Sequence, residues 1–240
     1  MEVLDLIEEG QEVTPPDGLV YSQHPRRSLA QNEQTYFVKG PDINVVVPEV
    51  ICHLLAPYVG LQVPEFALAR RTSVAGLFFA SREIVGFRSV ESFLKQGRVQ
   101  NPDLVKLMHL FDVMVANQDR NLGNLVGESS KNPRNANVRL VAIDFEKAEA
   151  FRGNYPLTTV PTIIPSRLRP SGILGGILQD DKTMGPHFEA IEKIEAGHVA
   201  TAFATLEAAI GHQIDWKESS VPLVAQRARN IRNLFAEVWR

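Results

Sequence analysis

The chain has a single cysteine among its 240 residues, Cys52, so no intramolecular disulfide can form. Its neighbours Ile51, Leu54 and Leu55 are apolar, which reads as a small buried hydrophobe rather than a reactive thiol. No apolar run reaches the ~18 residues that a membrane-spanning helix needs. The opening residues, MEVLDLIEEG, are acidic and have none of the features of a secretory signal, so a cytoplasmic protein is expected. An excess of positive charge is also missing. Lys and Arg number 25 against 28 Asp and Glu, a formal charge of −3, and no nucleic-acid partner is expected. The six histidines (His24, His53, His109, His187, His198, His212) show no metal-ligand spacing. His53 and His109 lie in apolar helical stretches and read as core or boundary residues. Neither G-x-S-x-G nor H-E-x-x-H occurs, and no internal repeat or low-complexity segment is evident.

What is present is an ordinary globular composition, 44% hydrophobic, on a chain long enough for one large core or two small lobes. Three short runs open it: Val3–Ile7, Leu19–Ser22 and Thr35–Val38. Turn-forming residues separate them, Thr14 to Gly18 and Pro25 to Asn32, and they read as a small antiparallel sheet. A helix is expected over Pro48–Ala56, with Pro48 in its first turn and Pro57 and Gly60 at its end. Phe66–Arg70 and Gly76–Ala80 read as strands. Asp103 to Ala116 is apolar at helical spacing, and Val138 to Ile143 reads as a buried strand. Glu128 to Asn137 is a polar hairpin loop between two strands, and Gly153 to Pro170, with its prolines, an extended surface loop. Helices over Pro186–Glu195, His198–Ile210 and Val221–Trp239 complete the pattern.

The chemistry lies where two of these elements end. Asn117-Gln118-Asp119-Arg120-Asn121-Leu122-Gly123-Asn124 follows the helix, and Ile143-Asp144-Phe145 closes the strand. An Asp, an Asn five positions on and a second Asp form a set of oxygen ligands of the kind phosphoryl transfer uses. One carboxylate orients the attacking hydroxyl; an Asn and an Asp hold magnesium. Asp119 is then the candidate base, and Asn124 and Asp144 the candidate metal ligands. Alone, each also reads as a turn residue or a solvated strand-end acid. Arg120 either lowers the pKa of Asp119, pins the loop to a carboxylate elsewhere, or is solvated. A calcium loop fits poorly. Asn117, Asp119, Asn121 and Glu128 fall at positions 1, 3, 5 and 12, but Leu122 stands where the sharp turn requires Gly.

The pattern N-x-D-R-x-x-x-N followed by I-D-F resembles the catalytic and metal-binding loops of the HipA-like kinase family. A similar loop occurs in type II phosphatidylinositol 4-kinases. In both groups Asn, here Asn117, stands where ordinary protein kinases carry the His of H-R-D. The resemblance runs from about Thr35 to about Phe151. It implies an α+β, bilobal protein-kinase-like fold: a β-rich N-terminal lobe over residues 1–83 and a helical lobe over 84–240. It implies ATP and Mg²⁺ as cofactors. Lys39, which shares a strand face with Phe37, would reach the α- and β-phosphates and pair with a helix glutamate. Glu49 is the nearest suitable acid, although acids favour a helix's first turn in any case. Ser81, Arg82 and Glu83 fall in order where a kinase hinge holds the adenine.

Two features depart from the kinase pattern. No G-x-G-x-x-G precedes Lys39, and Arg26 to Gln34 contains no glycine, so phosphates would need backbone amides or Ser28 from this loop, or would be gripped less closely. Glu146 replaces the Gly of the metal motif. The expected activity is transfer of the ATP γ-phosphate to a Ser or Thr hydroxyl of a protein. The alternatives are a lipid or small-molecule kinase, and a kinase-fold nucleotide-binding or interaction module with little turnover.

Overall fold

Alternation along Thr35–Lys39 sets the architecture. In the computed structural model, which describes residues 1–7, 11–12, 26–84, 90–129, 137–153, 172–178 and 183–239, this run is a central strand. With β1 (Val3–Asp5), β2 (Gln11–Glu12), β3 (Arg26–Leu29), β4 (Thr35–Lys39), β5 (Phe66–Arg70) and β6 (Leu77–Arg82) it forms a sheet of order β1-β5-β6-β4-β3-β2. Tyr36 and Val38 point to one face and pack with Leu4, Leu6, Ala67, Ala69, Phe78 and Ala80. Phe37 and Lys39 point to the other, the face that also carries Leu68 and Phe79 into the main core.

Two expectations about this sheet need correction. The segment taken as a turn, Pro25 to Asn32, holds β3, which pairs antiparallel with β4 through Arg26↔Val38 and Ser28↔Tyr36. Its first two residues, Arg26 and Arg27, are both exposed, and their charge hid the strand. The first run is not part of an antiparallel meander: β1 pairs parallel to β5, Val3 opposite Leu68. Leu19–Ser22 lies outside the described residues.

Helix α1 spans Ile43–Val59, five residues earlier than expected. Asp42 caps it, its side chain accepting the Asn44 N–H at 2.9 Å, and Gly60 ends it at φ 78°. Pro48 therefore sits inside the helix, where it forfeits one backbone bond. The β-branched run Val45-Val46-Val47 favours a strand by propensity, but burial against the sheet overrides it. Glu49 consequently lies in mid-helix and not in the first turn.

After the short α2 (Glu91–Lys95), α3 (Leu104–Val115) runs through the centre with every residue buried. A hairpin follows, β7 (Leu125–Ser129) with β8 (Val138–Ala142), in register Leu125↔Ala142 to Ser129↔Val138. The C-terminal part comprises α4 (Gly172–Leu178), α5 (Gly185–Glu192), α6 (Ala196–Ile210), α7 (Lys217–Arg229) and α8 (Ile231–Val238). The single helix expected over Val221–Trp239 starts earlier and breaks at Asn230, which caps α7 with its N–H. The apolar stripe continues across the break, so periodicity alone could not show it. α4 was not expected, and the proline-containing stretch after Gly153 is outside the described residues. Cys52 is a free, buried thiol in the main core.

Candidate active site

The alternation of β4 aims Lys39 at α1, and the seventh residue of α1, Glu49, meets it. The Lys39 Nζ lies 2.7 Å from Glu49 Oε1, 2.7 Å from Asp144 Oδ1 and 3.3 Å from Glu146 Oε2. Glu49 is wholly inaccessible to solvent and Glu146 is 2% exposed. Asp144 follows β8 with φ 66°, in the left-handed region that an Asp tolerates better than most residues. That turn swings its carboxylate back toward the sheet. Burial works against the Lys39 charge, but Glu49, Asp144 and Glu146 together outweigh it and hold the ammonium above the usual lysine value. Burial likewise opposes the Asp144 charge, and Lys39 overcomes it, leaving that carboxyl below the usual range. For Glu49 burial prevails over Lys39, and its carboxyl is raised.

A second network anchors the loop after α3. The Arg120 guanidinium makes a bidentate pair with Asp112, Nε to Oδ2 at 2.7 Å and Nη2 to Oδ1 at 2.9 Å. Its Nη1 donates to the carbonyls of Asn124 (3.0 Å) and Ile143 (2.5 Å). Asn117 donates to Asp112 at 2.8 Å and to the Asp144 carbonyl at 3.4 Å. The Ile143 N–H reaches the Asn124 carbonyl at 3.1 Å. Of the three readings of Arg120, the geometry shows the pin: it is buried, bonded to Asp112, and lies over the Phe145 ring at 4.9 Å. From the far side, Arg227 of α7 donates to the carbonyls of Met114 (2.8 Å) and Val113 (2.6 Å), capping the end of α3. Burial pushes that guanidinium down to about 10.

These bonds hold Asp119 and Asn124 in place. Asn124 Nδ2 donates to the Asp119 carbonyl at 2.6 Å, which leaves the amide oxygen available as an acceptor or ligand. The Asp119 carboxyl is raised by partial burial and then by Asp144 and Glu146, so these acids lie close enough to feel one another. Glu49, Asp144 and Glu146 each bring one oxygen within 4.8 Å of the others. Hard oxygens from carboxylates and an amide, with one face of Asp144 accessible, suit a magnesium ion.

The residues expected at the hinge lie at the end of β6, an interior strand between β5 and β4. Ser81 is on the Lys39 face, opposite Phe37 and Phe66. Arg82 pairs with Glu65. The Glu83 N–H donates to the Thr35 carbonyl at 2.9 Å, and its carboxylate pairs with Arg27 at 2.8 and 2.9 Å. Ser28 is corrected: it is buried on the face opposite Lys39, across from Tyr36, and cannot reach a phosphate there. The β3–β4 turn is not a phosphate cradle either. The amides of Ala30, Gln31, Glu33 and Gln34 are bonded to Gln34 O, Asp5 O, Ala30 O and Asn32 Oδ1.

Three participants escaped the sequence. Asp112 was legible only as a lone acid in an otherwise apolar helix. Asn117 had been noted as a substitution and not as a ligand of Asp112. His53 backs the site, bonded through Nδ1 to the Glu49 carbonyl at 2.8 Å and stacked among Phe66, Phe79 and Phe145.

Comparison with known proteins places this geometry. The model of the HipA-like kinase family matches residues 22–156, more than half of the chain and all of the cluster just described. The chain belongs to the HipA-like kinase family. Among solved structures, this HipA-like chain is similar to the proinflammatory kinase CtkA of Helicobacter pylori. The TM-score is 0.56 at 14% identity, covering 90% of this chain and 94% of that one. The likeness shows a shared kinase-like α+β fold. A chain of the Shewanella oneidensis MR-1 toxin–antitoxin structure of HipA, HipB and its operator DNA matches at TM-score 0.41 and 11% identity, over 95% of this chain and 60% of that one. No curated protein matches.

Proposed function

We propose that the chain is an ATP-dependent phosphotransferase that moves the γ-phosphate to a Ser or Thr hydroxyl of a protein. The observation that carries this reading is the Lys39 ammonium held at 2.7 Å by both Glu49 and Asp144, with Asp119 and Asn124 fixed beside them by the Arg120 network. In this reading the lobes divide near residue 83, the nucleotide lies between them, and Ser81 and Glu83 line the adenine side. Asn124 and Asp144 hold Mg²⁺, which neutralises charge developing on the phosphates when bound. Lys39 positions the α- and β-phosphates. Asp119 accepts a hydrogen bond from the acceptor hydroxyl and turns its oxygen toward the γ-phosphorus. The setting is cytoplasmic and the partner a protein; no helix among the described residues is long and apolar enough to cross a membrane.

The spent amides of the β3–β4 turn favour a second reading, a nucleotide-binding module with little turnover. Binding and transfer separate the two. Mg²⁺–ATP at a hundredfold excess over Kd is expected to stabilise the fold by about 2.7 kcal/mol. Asp144→Ala should abolish that shift, whereas Asp119→Asn should keep it and lower transfer by about 10²–10⁴-fold. Absence of a shift in the wild type sinks the nucleotide reading. A shift without transfer to protein, lipid or small-molecule acceptors favours the module.

A further inference from the structure

Glu146 occupies the position where the kinase metal motif has glycine, and the structure gives it a partner. Its Oε2 lies 3.3 Å from the Lys39 Nζ and the residue is 2% exposed. An ammonium has three N–H donors. Glu49 and Asp144 accept two of them at 2.7 Å, and Glu146 adds a third carboxylate as an ion-pair partner at 3.3 Å. The group that would grip a phosphate is therefore held by three carboxylates. Glu146 also acts on Asp119, whose carboxyl is raised by burial, by Asp144 and by Glu146. So the Glu146 charge acts on both the phosphate anchor and the candidate base. A polyanion approaching without a counter-ion meets three carboxylates and one ammonium already shared among them.

We infer that Glu146 makes nucleotide binding conditional on a divalent cation, by holding Lys39 until a cation draws the carboxylates away from it. Resting on the phosphotransferase reading, this names a regulatory residue that a glycine at the same position would not supply. A cation held by Asp144 would give its carboxylate a second partner and Glu146 a cationic neighbour besides Lys39, leaving the ammonium available to phosphates. Metal and nucleotide thus become thermodynamically coupled, each tightening the other by the same factor.

The test measures the Kd of ATP by calorimetry in EDTA and in excess Mg²⁺, and takes the ratio. Glu146→Gln keeps the side-chain shape and removes the charge. It should lower that ratio about tenfold relative to wild type, within the usual span of coupling factors, chiefly by allowing metal-free ATP to bind. Glu146→Asp keeps the charge one methylene further back and should restore most of the wild-type ratio. An unchanged ratio in Glu146→Gln, with normal melting, overturns the inference and leaves the phosphotransferase reading standing. If Glu146→Gln does not fold, Glu146→Asp decides: a ratio near wild type supports the gate and a ratio near unity in a folded protein overturns it. Failure of the wild type to bind ATP under either condition overturns the phosphotransferase reading itself.

Discussion

Two buried charge clusters share the loops after α3 and β8, and they are built on opposite plans. Around Arg120 the charges balance. One guanidinium meets one carboxylate in a bidentate pair, and the remaining donors end on the Asn124 and Ile143 carbonyls. Around Lys39 they do not: one ammonium serves Glu49, Asp144 and Glu146. A satisfied network has no use for a further ligand, so it fixes backbone. An acid-rich one attracts cations, which suits it to a binding site. The same residue types, on adjacent loops, are divided into scaffold and site by stoichiometry alone.

That contrast can be broken most completely at its outer support. A chain ending at Ser220 loses Arg227 with the buried Val224, Ala228, Ile231, Phe235 and Val238. A single leucine-sized truncation costs about 2–5 kcal/mol of a total near 5–15, so this chain is expected to show no cooperative melt by circular dichroism. A cooperative melt near the full-length temperature would make α7 and α8 an accessory. Next comes the balanced cluster. Asp112→Ala leaves Arg120 buried without a counter-ion and should cost about 3–5 kcal/mol in urea unfolding. Asp144→Asn touches the unbalanced cluster, where Lys39 keeps Glu49 and Glu146. It should cost under about 1 kcal/mol by the same measurement. Equal losses for the two variants would erase the distinction between scaffold and site.

The smallest effect concerns the imidazoles beside the two clusters. Burial pushes His53, next to Glu49, and His109, one turn before Asp112, each down to about 3. The unfolded chain takes up protons near pH 6.5 and the folded chain does not. Their contribution is therefore full above pH 6.5 and is lost as pH falls toward 3, at about 1.4 kcal/mol per pH unit for each residue. His109, whose ring nitrogens have no hydrogen-bond partner among the described residues, is the cleaner probe. His109→Leu should flatten the acid limb by roughly half.

How much of this was readable beforehand follows from range. α3, β8 and the positions of Asp119, Asn124 and Asp144 at their ends were legible because a helical period, a strand-length apolar run and a motif are all local signals. The Lys39 face was legible from alternation. The strand Arg26–Leu29 was not, because its outward residues are charged and its pairing with β4 is tertiary. The start of α1 was hidden by Pro48 and by three valines whose helical state depends on burial. Asp112 and Glu146 were visible as residues but not as partners. Asp112 finds Arg120 eight positions away through a turn, and Glu146 finds Lys39 across more than a hundred residues. No window along the chain contains that second contact.

The cap that Arg227 places on the Val113 and Met114 carbonyls also has a meaning in time. Domains form from the N-terminal side as a chain is made. The acids that pair with Lys39 and the groups that bond Arg120 all emerge before α7 does. A growing polypeptide thus carries the whole candidate site while the end of its central helix still lacks the Arg227 donors. The order of synthesis itself then delays readiness: the loop after α3 is expected to settle only when α7 arrives to close it.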